Sequence, residues 1–208
     1  MTNTVRIAIA CHSGYGHTAR QAQAVADGAR EVPGTSVDLL PLDELTEELW
    51  RTLRAADAII FGAPTYMGSP SSVFKAFAEA SAEPWADNLA WRDKIAAGFT
   101  NSKAMSGDKL NSLVDFAILA AQHGMIWVGL DDYPGWSHSL ASIEDVNRLG
   151  SWLGAMAQSD SDQPADVVPR ATDLRTAASL GRRVATVALR HARGASADAD
   201  TDEVAAAR

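Results

Sequence analysis

Apolar residues along this chain fall into short unbroken runs separated by longer stretches with helical spacing. The runs are 5–10, 37–40, 58–62, 94–100 and 125–129. None alternates strictly with polar residues, which is the pattern of strands covered on both faces. Between them, 17–31, 45–55, 71–82 and 108–123 carry apolar residues at helical spacing. Ala19, Ala22, Ala26 and Ala29 share one narrow face of the first, suited to close packing. Leu110, Val114, Ala117 and Ala121 recur at the same spacing in the fourth and are expected to be its buried face. Strand and helix in regular alternation predict an α/β fold, a doubly wound five-stranded parallel sheet with helices on both faces.

The pattern weakens over 130–170, where Asp131-Asp132-Tyr133-Pro134-Gly135-Trp136 reads as a long loop near the carboxyl edge of the sheet and Asn147 to Met156 as a helical turn. A last helix is predicted over 171–192, with Leu174, Ala178, Gly181, Ala185 and Ala188 on one side. Its other side carries Arg175, Arg182, Arg183, Arg190 and Arg193, a solvated face or one that meets an acidic neighbour. Residues 1–193 are expected to form one domain. Small and charged residues over 194–208 predict a tail without order.

Composition narrows the class. At 208 residues and 47% hydrophobic, the chain can bury a full single-domain core. A net charge of −8 disfavours nucleic acid and anionic membrane as partners. Met1-Thr2-Asn3-Thr4 offers no basic region and no apolar span, so neither a signal peptide nor a membrane anchor is expected. The single cysteine, Cys11, permits no intrachain disulfide, and a cytoplasmic location is the simplest expectation.

Two loops carry candidate chemistry. The first strand ends in Cys11-His12-Ser13-Gly14-Tyr15-Gly16-His17-Thr18 and a helix follows. Backbone N–H groups at a helix N-terminus bind phosphate, and Ser13, His17 and Thr18 add donors while Gly14 and Gly16 allow close approach. No Lys or Arg stands in 11–19, and no Gly-Lys-Ser/Thr follows, so this is not a Walker loop. A rival reading exists: Gly14-Tyr15-Gly16-His17-Thr18-Ala19 also fits a dinucleotide fingerprint, with Asp38 at the spacing of a ribose acid. That reading leaves the second loop, Gly62-Ala63-Pro64-Thr65-Tyr66-Met67-Gly68-Ser69-Pro70-Ser71, without a purpose. With strand order 2-1-3-4-5, the loops at 11–18, 62–71 and 100–108 converge beyond the carboxyl ends of the strands. A phosphate loop beside a loop suited to a flat ring points to flavin mononucleotide.

Ser13-Gly14-Tyr15-Gly16-His17, Ile59-Ile60-Phe61-Gly62-Ala63-Pro64-Thr65 and His123-Gly124-Met125-Ile126 closely resemble the flavodoxin-like family. Within it they resemble the WrbA-type NAD(P)H:quinone oxidoreductases and the NADPH-dependent FMN reductases. The resemblance spans about residues 5–130. It implies a flavodoxin-like fold in which Ser13, Gly14, Tyr15, Gly16, His17 and Thr18 hold the FMN phosphate. Pro64, Thr65, Tyr66, Met67 and Gly68 would run along the isoalloxazine, and Thr100, Asn101 and Ser102 would complete the pocket. His123 would lie by the flavin of its own or a neighbouring subunit, and Trp85 falls where the family places a tryptophan near the site. Tyr66 stands where the family usually has an arginine.

The chemistry implied is reduction of bound FMN by NADPH or NADH and reoxidation by a quinone or other flat acceptor, with no catalytic side chain beyond the flavin. Tyr66 and Trp85 are the candidates for stacking on the acceptor, and Lys103 for a cofactor phosphate. Trp91 and Trp136 read as packing residues. Cys11 reads as a core thiol, and no His, Cys or carboxylate spacing suggests a metal. Lys75, Lys103 and Lys109, opposed only by Asp108, suggest a neutral-to-basic rim. That suits an anionic cofactor better than the acidic docking face of a flavodoxin-type electron carrier, the alternative function. An apolar aromatic rim predicts a homodimer or homotetramer.

Overall fold

The structure is a computed structural model that describes the backbone of residues 4–206 and the side chains of residues 4–194. Five parallel strands make its centre: β1 (Val5–Cys11), β2 (Thr35–Pro41), β3 (Ala58–Tyr66), β5 (Ile95–Ser102) and the two-residue β6 (Ile126–Trp127). Their order is β2-β1-β3-β5-β6, as the sequence predicts. β4 (Ser69–Pro70) folds back antiparallel on β3. β7 (Ala155–Gln158) pairs with the upper half of β5, while β6 pairs with the lower half. The edge position is therefore shared by two short strands, and the chain between them leaves the sheet and returns. Met156, expected in a helical turn, lies in β7.

Each apolar run divides its side chains between two cores. Ile7, Ile9 and Ile60 face one, with Val25, Ala26 and Ala29 of α1 (His17–Arg30) and Leu180, Val184 and Ala185 of α6 (Ala171–Ala206). Ala8, Ile59 and Phe61 face the other. There they meet Leu49 and Leu53 of α2 (Glu47–Ala55), Phe74 and Phe77 of α3 (Ser72–Ala80), and Leu113 and Phe116 of α5 (Lys109–Gln122). A short α4 (Ala82–Ala86) follows α3.

Two predicted helix faces are displaced. α5 buries Leu113, Phe116 and Ala120, whereas Leu110, Val114 and Ile118 are exposed. The apolar stripe read from the sequence is the one left uncovered, because α5 is apolar on both sides and packing chooses the aromatic one. In α1, Ala22, Ala26 and Ala29 are buried but Ala19 is exposed. α6 continues through Ala206. The tail expected to lack order lies mostly beyond Gly194, where side chains fall outside the described residues. Three arginines of α6 pair within the chain: Arg175 with the Glu144 carbonyl at 2.6 Å, Arg182 with Glu31 at 2.9 Å and Arg183 with the Gly129 carbonyl at 2.8 Å. Among the described residues no helix is long and apolar enough to cross a membrane.

α1 and α6 cross at two glycines. A Cβ on Gly28 would overlap the Ala178 carbonyl, and one on Gly181 would overlap the Val25 carbonyl. The backbones are in contact, so no side chain can yield. Gly28→Ala is expected to lower unfolding free energy by about 1–3 kcal/mol, despite the better helix propensity of alanine. Urea denaturation checks this, and an unchanged midpoint would show that the helices can separate freely.

Candidate functional site

The carboxyl ends of β1, β3 and β5 open into a cleft of about 780 Å³, within the usual range for small-molecule sites. Three loops predicted to converge do so. Tyr15, His17 and Thr18 form one wall, Pro64 to Gly68 another, and Asn101, Ser102 and Lys103 a third. A fourth wall was not foreseen: Ser159, Ser161, Gln163 and Pro164, from the segment after β7.

The β1 turn presents a row of free donors. Gly16, with φ 84°, is the N-cap of α1. The Ala19 N–H is taken by Ser13 Oγ at 2.9 Å, so Ser13 caps the helix from below rather than lining the cleft. The Arg20 N–H goes to the Gly16 carbonyl at 3.0 Å. Among the described residues, the N–H groups of Gly14, Tyr15, Gly16, His17 and Thr18 have no acceptor. Five adjacent free amides at a helix N-terminus form a nest for an anion. Among the described residues no carboxylate lines the cleft, and Lys103 is the one lysine or arginine that does. This donor set fits a phosphate-bearing ligand. The segment after β7 is tied to the nest: the His17 Nε2–H donates to the Gln163 carbonyl at 2.9 Å and Arg20 donates to the Ala165 carbonyl at 2.9 Å.

The β3 loop is a tight hairpin. Thr65 pairs with Pro70 and Tyr66 with Ser69, leaving Met67 and Gly68 at the turn. Both have positive φ, 50° and 84°, as a type I′ turn requires. Asn111 of α5 donates to the Gly68 carbonyl at 2.8 Å and holds the turn. Met67 is fully exposed at the rim, and Tyr66 leans on the β1 turn. A Cβ on Gly14 would come within 2.6 Å of the Tyr66 hydroxyl, so Gly14 serves that contact. Tyr15 and Tyr66 meet edge to face at 6.3 Å, and burial raises the Tyr66 pKa, keeping the phenol neutral.

Polar residues beneath the cleft are committed to one another. Thr100, fully buried, donates to the Ala63 carbonyl at 2.7 Å and accepts from Thr65, which in turn pairs with Ser112 at 2.7 Å. Thr100 thus braces the floor and lines nothing. Asn101 donates to Ser159 Oγ at 2.8 Å and joins two walls. Cys11 is buried, and burial pushes its thiol pKa up, which makes it inert.

Several predicted residues lie elsewhere. α5 is about 21 Å long, so its ends reach opposite edges of the sheet. His123 is at the far end, buried, with Nε2 on Ser81 Oγ at 2.9 Å and its ring 4.3 Å from that of Trp91. Trp85, half-exposed, donates to the Gln122 carbonyl at the same end. Neither touches the cleft of its own chain. Asp38 pairs with Ala8 in mid-strand, three residues short of the end of β2. It cannot reach a ribose in the cleft, which removes the dinucleotide reading. Lys109 is buried and Lys75 pairs with Glu79 at 3.5 Å, so the rim is less basic than the sequence suggests. Trp91 is core, and Trp136 lies in a separate groove with Met105 and Leu149. The run 159–164 signalled its role only by small polar residues; nothing local showed that it folds over α1.

Fold and cleft define a flavodoxin-like α/β protein with a row of free amides beside a cleft at the carboxyl ends of its strands. The model of the NADPH-dependent FMN reductase family matches residues 16–130, and the chain belongs to that family. It is 44% identical over 175 residues to flavodoxin FldP of Pseudomonas aeruginosa, covering 84% of this chain and 92% of that one. It is 33% identical over 204 residues to an NAD(P)H dehydrogenase (quinone) of Archaeoglobus fulgidus, covering 88% and 97%. The crystal structure of the WrbA-like flavodoxin from Agrobacterium tumefaciens superposes with a TM-score of 0.70 at 42% identity, over 90% of this chain and 99% of that one. Within the flavodoxin-like proteins the chain is of the WrbA type.

His123 gives a pH prediction. Ser81 donates to the Ala78 carbonyl, so it accepts from Nε2–H, and the buried Nδ1 has no partner. Burial holds the ring neutral, with its pKa below the ordinary 6.5. The unfolded chain then binds more protons between the two values. This contribution to stability is complete above pH 6.5 and is lost as pH falls through the folded value. The urea midpoint should fall more steeply on acidification from about pH 7.5 to about pH 5 in the parent than in His123→Gln. Equal slopes would refute the assignment.

Proposed function

We propose that the cleft binds FMN, with phosphate in the nest of residues 14–18 and the ring between the β3 hairpin and the loop after β5. The observation that carries this is the row of unpaired amides at the α1 N-terminus, beside a cleft that no carboxylate lines among the described residues. Ser13, Gly14 and Gly16 shape the nest; Tyr15, His17 and Thr18 line it. Pro64, Thr65, Tyr66, Met67 and Gly68 run along the ring, and Asn101 and Ser102 meet its other side.

When bound, FMN supplies a ring that takes hydride from NADPH or NADH and passes two electrons to a quinone or similar flat acceptor. The chain orients and shields. Tyr66, neutral and held over Gly14, presents an aromatic edge where an acceptor ring can stack, a contact worth about 0.5–1.5 kcal/mol beyond burial. Lys103, exposed and lining the cleft, is the candidate contact for the phosphate of a nicotinamide cofactor. The name of the Archaeoglobus relative supports quinone reduction. The name of the Pseudomonas relative favours a second reading, an FMN electron carrier for a protein partner.

Purified protein is expected to take up FMN about one to one and to shift the flavin spectrum. NADPH or NADH should bleach the bound flavin anaerobically, and a quinone should restore it. Tyr66→Ala should alter acceptor preference more than FMN affinity. A spectrum untouched by FMN refutes the site. A flavin that binds but resists both nicotinamides within minutes replaces the reductase by the carrier.

The chain also assembles with itself in this reading. Leu110, Val114 and Ile118 form an exposed apolar stripe on α5, and Trp85 and Ile126 add to the uncovered apolar surface. Light scattering should report a dimer or tetramer. A monomer at all concentrations would refute assembly and leave Trp85 no role in any cleft.

A further inference from the structure

Two loops wall the cleft where it opens, 102–107 after β5 and 158–164 after β7. One buried ionic cluster reaches both. Lys109 opens α5 and has no exposure to solvent. Its ammonium donates to Ser102 Oγ at 2.9 Å, the Ala104 carbonyl at 2.7 Å and the Met105 carbonyl at 2.9 Å. Three donors meet three acceptors. The loop curls around this point: Gly107 has φ 55°, and a side chain on it would overlap the Ser102 hydroxyl.

The second loop is held by the same cluster. Arg148 grips Asp173 with two bonds of 2.8 Å, and both side chains are 1% exposed. Asp173 accepts the Gln158 N–H at 3.0 Å. The Gln158 amide donates to the Lys103 carbonyl at 3.0 Å and to the Asp160 carboxylate at 2.9 Å. Side chains thereby add to the β5–β7 ladder and to the Ser159 N–H on the Ser102 carbonyl at 3.1 Å in joining loop 102–107, β7 and α6.

Lys109 is a poor choice for stability. It places a cation at the positive end of a helix and removes it from water. Both effects oppose folding, so its value lies in the loop that it shapes.

We propose that Lys109 is a positioning residue of the cleft: its ammonium binds Ser102 and the Ala104 and Met105 carbonyls and so curls the loop whose Ser102, Lys103, Ala104 and Gly107 wall the ring site, and the Arg148–Asp173–Gln158 chain locks the facing loop to that wall. This rests on the flavin reading of the cleft. Burial brings the Lys109 pKa down to about 8, with Asp173 of α6 opposing and Arg148 reinforcing the shift. Asp108 is the neighbouring acid on its own turn. Loss of the proton leaves two donors for three acceptors, so one of the three contacts is lost or, at Ser102, reversed.

Amide hydrogen exchange and FMN titration of Lys109→Met test the proposal. In the ligand-free protein, exchange at residues 102–107 should accelerate while the strands stay protected. The FMN dissociation constant should rise about tenfold or more, since hydrogen bonds from a charged donor are strong. FMN affinity of the parent should fall as pH rises through about 8, and the variant should be flat there. Gln158→Leu, which cuts the link to Lys103 without touching Lys109, should loosen 158–161 and weaken FMN, and serves if Lys109→Met fails to fold. Unchanged exchange overturns the proposal, as does faster exchange with parental FMN affinity and pH profile. If the parent binds no FMN, the flavin reading fails, and exchange alone still decides whether Lys109 orders the wall.

Discussion

Strands β1, β3 and β5 are covered by helices on both faces, and that burial governs the rest of the molecule. A buried strand satisfies its backbone through the sheet and cannot carry polar side chains cheaply along its length. Polar chemistry collects where the strands end. Ser13, Thr65 and Asn101 all stand within a few residues of a carboxyl terminus of a strand, and the switch between β1 and β3 leaves the crevice that they surround. The cleft is a consequence of the sheet, and the residues in it are those freed from packing.

Polar groups in and beneath the cleft do different work. The amides of Gly14 to Thr18 have no acceptor among the described residues, and Tyr15, His17 and Thr18 line the cleft. Thr65, Thr100 and Ser112 are bonded to one another and stiffen the floor. Ser13 belongs with the second group, although its position in the motif suggested the first. The difference decides which substitutions act on a ligand directly and which act through the scaffold.

The split fifth strand extends this architecture. β6 covers only the lower half of β5, so the upper half would stand as an open edge were β7 not to return to it. The chain that leaves and returns brings Arg148, Gln158 and Ser159 to the site. A segment without periodicity thus supplies one wall of the cleft and the ion pair behind it. The cost is a cluster of buried charges, tolerated because Arg148 and Asp173 pair with two bonds and Lys109 has an acceptor for each of its three donors.

Periodicity and turn chemistry were local, and they sufficed for the doubly wound fold and the two-sided cover of the sheet; with the strand order that the flavodoxin-like resemblance implies, they also gave three of the four cleft walls. The glycines and hydroxyls of 13–18 and the run 62–68 announced themselves because a tight turn into a helix, or a hairpin with positive φ, demands particular residues at fixed spacing. Other features were set only by tertiary packing. α5 is apolar on two sides, and only the ring contacts of Phe116 decided which is buried. His123 and Trp85 sit in a familiar motif, yet the length of α5 carries them to the far edge of the sheet. Arg148, Gln158 and Asp173 meet across a sequence gap that no local pattern spans. Lys109 reads as a surface lysine until the loop before it is seen folded around its ammonium. Local sequence dictates where the backbone can turn; which side chains then meet depends on the distances that the sheet and its helices impose.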